Sequence, residues 1–207
     1  HRSASSALLG TLKRKKEKNF TGAEAYNYYL GVFFAETQLR IYDYNRVVRD
    51  LNNLKPAQLI EKLRAKFDVQ EIKQNVFQPR KKHEISMYID NRWYALAALP
   101  GTYNSNDPVG SLDASILTEH ILSPLFGIHD LKTDKRIGFI PGVKGPEALK
   151  KSVDEGKAEA AFGLYPVTME HLKWIADSHN IMPPKSTWVE PKMRSGLVIY
   201  SFDEDQE

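Results

Sequence analysis

Apolar positions change their spacing several times along this chain. Over residues 3–18, Ala4, Ala7, Leu8, Thr11 and Leu12 recur at helical intervals, which predicts a helix with a narrow, alanine-rich stripe. Residues 26–34 are aromatic and β-branched and predict a strand buried on both faces. After a turn at Ala35-Glu36-Thr37, residues 38–43 alternate in polarity and predict a second strand, so the two read as a hairpin. Asp43-Tyr44-Asn45-Arg46 then leaves the sheet.

Residues 56–67 place Leu59, Ile60, Leu63 and Phe67 on one helical face, with Pro56 suited to the first turn. Residues 69–76 read as extended. His83–Ile89 and Trp93–Leu99 predict a second hairpin across Asp90-Asn91. A loop over 100–110 ends at Ser111, read as the N-cap of a helix over 112–122 that Pro124 stops.

From there strands and helices alternate: strand 137–140, helix 146–155, strand 158–164, helix 168–179, and closing strands at 188–190 and 196–202. Hairpins in the first half and strand–helix alternation in the second predict an α+β fold with a mixed β-sheet.

Composition narrows the class. The chain has 207 residues, 42% hydrophobic and 27% charged, with no cysteine, which excludes a disulfide framework and thiolate chemistry. No apolar run approaches the ~20 residues that cross a bilayer, and no signal peptide is visible, so a cytoplasmic protein without a membrane partner is expected. Charge is uneven: residues 1–82 carry 17 Lys/Arg against 8 Asp/Glu, and the remainder is net acidic. Much of the excess is the run Lys13-Arg14-Lys15-Lys16, which suits the end of a helix, and no nucleic-acid module accompanies it. A nucleic-acid partner is therefore not expected. The histidines lack metal-ligand spacing, so no metal site is expected, and no catalytic residue stands out.

The densest chemistry lies in Met182-Pro183-Pro184-Lys185-Ser186-Thr187-Trp188-Val189-Glu190-Pro191-Lys192. Prolines fix the backbone there. Lys185, Ser186, Thr187 and Lys192 could then cradle a small anionic or phosphorylated ligand. The alternative is a rigid connector. Asn45 and Arg46 are further candidates, because strand ends commonly line clefts. His1 and Arg2 could contribute a base and a fork for phosphate or carboxylate.

The proline–lysine segment followed by Ser195-Gly196-Leu197-Val198-Ile199 resembles the C-terminal signature of the domain of unknown function family 1015, uncharacterised bacterial and archaeal proteins. Asp43-Tyr44-Asn45-Arg46-Val47-Val48, Leu112-Asp113, Arg136-Ile137 and Ala161-Phe162-Gly163-Leu164-Tyr165-Pro166-Val167 follow in the family's order. His1-Arg2-Ser3-Ala4 is similar to the end of the family's Asp-Gly-His-His-Arg motif. The resemblance implies the C-terminal portion of a longer protein: residues 1–20 as a helix left from an upstream domain, and 21–207 as the C-terminal α+β domain.

That upstream motif is in turn similar to one in the ParB-like and free serine kinase group. The resemblance thereby implies part of a nucleotide- or phosphate-metabolite-binding enzyme, kinase-like toward small molecules, with nucleotide and magnesium belonging to the full-length protein. The competing classes are a non-catalytic interaction or regulatory domain and a ParB-like nucleic-acid-associated protein.

Overall fold

The computed structural model describes residues 2–194 and 196–202. The chain divides into two compact units. One comprises residues 1–38 with 191–207, and the other comprises Leu39–Glu190.

In the first unit, helix α1 (Arg2–Lys16) ends in the cluster Lys13, Arg14, Lys15 and Lys16, where cations complement the helix dipole. Leu8 and Leu12 are exposed, as the thin stripe implied. The helix is held instead at Gly10, which is buried: an added Cβ would lie 2.7 Å from the Tyr26 carbonyl oxygen. Tyr26 is buried and its hydroxyl donates to Glu17. Gly10→Ala is expected to push α1 off this turn, at a cost of roughly 1–3 kcal/mol to the first unit. Hydrogen exchange would show faster exchange over residues 2–27 and an unchanged Leu39–Glu190.

The strand expected at 26–34 does not form. Ala25–Asn27 is a 3-10 turn, the following residues pair with nothing in a ladder, and Phe33 is 92% exposed. Aromatic β-propensity reflects packing against a cross-strand neighbour, and none of the described residues supplies one. The strand expected at 196–202 is likewise absent; Tyr200 instead donates its hydroxyl to the Ala25 carbonyl at 3.0 Å.

The second unit is α+β, as expected. Its strands are β1 (Arg40–Tyr42), β2 (Tyr44–Val48), β3 (Phe67–Ile72), β4 (Glu84–Ile89), β5 (Arg92–Ala98), β6 (Ile137–Pro141), β7 (Ala160–Gly163) and β8 (Trp188–Glu190). Its helices are α2 (Pro56–Leu63), α3 (Asp113–Leu117), α4 (Ser123–Phe126), α5 (Gly145–Asp154) and α6 (Met169–Asp177). Strand β1 pairs with β8, and the other six form a sheet in the order β3-β5-β4-β7-β2-β6 with antiparallel neighbours. Strands β6 and β7 flank β2, run in the same direction and are joined by α5. This split β-α-β unit is the crossover that the strand–helix alternation implied.

The segment expected to leave the sheet at Asp43–Arg46 instead opens β2, an interior strand. Valines 47 and 48 bury on opposite faces, and Asn45 and Arg46 are carried inward with them. One face packs Val48, Met87 and Phe162 against α2 and the α3–α4 run; the other packs Val47, Tyr88, Trp93 and Ala161 against Leu149 of α5.

The hairpin β4–β5 turns at Asp90 and Asn91 with φ of 49° and 59°, left-handed values that these residue types tolerate. Both of its faces are buried, not one. The helix expected over 112–122 starts at Asp113 with Leu112 as N-cap, so Ser111 caps nothing. It continues through a π-helical turn (Thr118–Leu122) into α4, and Pro124 does not stop it. The wider turn absorbs the missing proline N–H.

Candidate functional site

Side chains alternate across β2, so Asp43 and Asn45 face α5 whereas Tyr44 and Arg46 face the other layer. On the α5 side, Asp43, Asn45, Ser86, Gly142, Pro146 and Gly163 line a cavity of about 200 Å³.

Its wall is built by close backbone approaches. Ser86 on β4 stands opposite Gly163 on β7, and a Cβ at 163 would collide with the Ser86 hydroxyl. A Cβ at Gly142 would collide with the Asp43 carboxylate, while the Gly142 N–H donates to the Asp43 carbonyl at 2.9 Å. Asn45 is buried and accepts the Leu164 N–H at 2.9 Å, which ties the end of β7 to β2. Its amide also bonds Asp43. Burial holds the Asp43 carboxyl above the usual carboxylate range, opposed by its own backbone N–H, the Asn45 amide and the charge of Arg46. The Ser86 hydroxyl is buried and has no hydrogen-bond partner among the described residues.

Arg46 lies across the sheet. It is fully buried, and its Nη1 donates to the Tyr44 carbonyl. Its guanidinium stands 5.6 Å from the Phe139 ring centre. Burial lowers its pKa to about 10, so it is charged at neutral pH. The proline–lysine loop packs on the same Tyr44: Lys185 Nζ is 5.3 Å from the ring centre and the Trp188 ring 5.8 Å away. Lys185 adopts φ 57°, a left-handed conformation that costs about 1–2 kcal/mol in a lysine. Ser186 is buried and donates to the Pro183 carbonyl at 2.8 Å.

The structure thus gathers Arg46 and Lys185 around Tyr44 and puts Asn45 on the opposite face. Ser186 is spent on its own loop, Thr187 is half-buried beside it, and Lys192 belongs to the other unit. His1 lies outside the described residues, and of Arg2 only its place as the first residue of α1 is described.

Ser86 escapes sequence reasoning, although its signal is visible: one hydroxyl interrupts the apolar run Ile85-Ser86-Met87-Tyr88-Ile89. A second buried polar cluster was equally silent. Asp113 accepts the His83 N–H at 2.9 Å, and burial raises its pKa to about 7. His83 contacts the Ser111 carbonyl at 3.1 Å, and burial pushes its imidazole down. The His120 ring lies 2.7 Å from the Thr102 carbonyl.

Comparison with known proteins supplies the family. The sequence model of the protein family of unknown function DUF1015 matches residues 1–115, more than half of the chain, and the chain belongs to that family. No curated protein matches. Among solved structures, it is similar to a free serine kinase in complex with AMP, at 15% identity over 73% of this chain and 54% of that one, TM-score 0.43. A conserved hypothetical protein from Pyrococcus furiosus matches at 15% identity over 73% and 56%, TM-score 0.44. The chain therefore spans just over half the length of these structures. No helix among the described residues is long and apolar enough to cross a membrane.

Proposed function

We propose that this chain forms the acceptor site of a small-molecule phosphotransferase, holding a hydroxylated metabolite in the cavity beside β2. The observation that carries this reading is the buried Ser86 hydroxyl, without a partner among the described residues, in the wall of a partly open cavity of about 200 Å³. A buried polar group left unbonded is costly, and a ligand hydroxyl relieves that cost.

Size selects the ligand. A cavity of roughly 150 Å³ takes a six-carbon ring, whereas drug-sized ligands occupy roughly 300–1,000 Å³. This space fits a small metabolite and does not fit a nucleotide. Asp43 supplies the chemistry: a partly buried carboxyl at the rim of such a site accepts the proton of an alcohol as that oxygen attacks. Asn45 fixes the carboxyl, and the glycines at 142 and 163 keep the wall bare.

The test is a thermal-shift and calorimetric screen of small polyols, hydroxy acids and hydroxylated amines, with their phosphate esters. A ligand should raise the melting midpoint of the unaltered protein. Loss of one hydrogen bond in Ser86→Ala should weaken it about tenfold. Asp43→Asn should leave binding within a few-fold and abolish turnover. Equal affinity in the unaltered protein and Ser86→Ala would overturn the cavity reading.

A further inference from the structure

The guanidinium of Arg46 carries an argument independent of the cavity. It is fully buried, and the Tyr44 carbonyl takes only Nη1. Nε and Nη2 have no hydrogen-bond partner among the described residues. These two nitrogens form one complete edge of the guanidinium, the edge whose parallel N–H groups match the two oxygens of a carboxylate or phosphate. No carboxylate among the described residues makes an ion pair with it; Asp43 acts on it only as a nearby charge.

An arginine keeps its charge when buried, so an open edge in a low-dielectric layer is strongly unfavourable unless an anion completes it. The Phe139 face offsets part of the charge but takes neither N–H. A second cation stands nearby on a rigid mount: Lys185, between Pro184 and the buried Ser186, holds its ammonium over the ring of the residue whose carbonyl binds Arg46.

We infer that the Nε/Nη2 edge of Arg46, with Lys185 above Tyr44, is an oxyanion subsite that takes a carboxylate or phosphate group beneath the proline–lysine loop. The loop packs on this side of β2, since Lys185 and Trp188 both rest on Tyr44. The site lies on the sheet face opposite the Asp43–Ser86 cavity and does not depend on what that cavity binds.

The experiment is isothermal titration of the chain with inorganic phosphate and, separately, with acetate, at low ionic strength. Saturable binding of one of the two anions is expected, and the arm that binds identifies its source chemistry. Arg46→Lys keeps a charge but loses the paired donors, and should weaken binding at least tenfold. Lys185→Ala changes an exposed side chain, leaves the fold intact and should weaken binding several-fold. It decides the matter if the Arg46 variant fails to fold. Ser86→Ala should bind the anion as tightly as the unaltered protein, which separates this subsite from the cavity. Absence of saturable binding by either anion, unchanged affinity in a folded Arg46→Lys, or unchanged affinity in Lys185→Ala would overturn the inference.

Discussion

Phe162→Ala is expected to remove a large share of the stability of the Leu39–Glu190 unit. Phe162 is fully buried on β7, in register with Arg46 on one side and Met87 on the other, and its ring lies 6.2 Å from that of Phe126. Truncating such a ring removes its transfer free energy and leaves a cavity that rigid strands cannot close, a loss of about 3–5 kcal/mol. Domains of this size hold about 5–15 kcal/mol in all. Urea denaturation followed by tryptophan fluorescence should show a midpoint shift of that size with little change in slope. A loss below about 1 kcal/mol would mean that the layer repacks freely.

The largest pH effect is expected from Asp113. Its carboxyl ionises at about 7 in the folded chain against 3.8 when free, because burial penalises the charge more than the His83 N–H stabilises it. Between those values the folded chain holds a proton that the unfolded chain has released. Stability from this group is therefore complete below pH 4 and falls as pH rises to 7, by up to about 1.4 kcal/mol per pH unit.

His83 acts in the opposite sense, since burial lowers its pKa and protonating it in acid costs stability. Lys82 and Glu84 also face the carboxyl. The comparison to make is thus with Asp113→Asn, which keeps an oxygen for the His83 N–H. The difference in unfolding free energy between the two proteins should change by on the order of 4 kcal/mol from pH 4 to pH 7 in favour of the asparagine form. A flat difference would show that Asp113 ionises normally.

Helices with a clear apolar stripe and hairpins with turn residues were legible in the sequence. Pro56 with Leu59 and Leu63, and Asp90-Asn91 between alternating runs, each encode their element locally. What failed depends on distant partners. The aromatic run at 26–34 carries strand propensity but meets no neighbouring strand, and polar Asn45 and Arg46 sit in an interior strand because β6 and β7 close on them.

The candidate site divides in the same way. Arg46 and Lys185 stood out by residue type. The Ser86 hydroxyl became a feature only through the register that sets it against Gly163. Asp113 stands at the start of α3, and only its burial there makes it a titrating group.

The insertion of β2 between β6 and β7 also governs how the molecule assembles. Neither neighbour of Tyr44–Val48 lies within residues 1–115, the stretch that the family model covers; both are made about ninety or more residues later. Pairings so distant in sequence form late and slowly. A ribosome-bound or truncated chain ending before Ile137 would hold β3, β4 and β5 but would lack both flanks of β2. The strand that bears Asn45 and Arg46 is thus the keystone of the sheet, set last, and whatever binds beside it reports on completion of the whole unit.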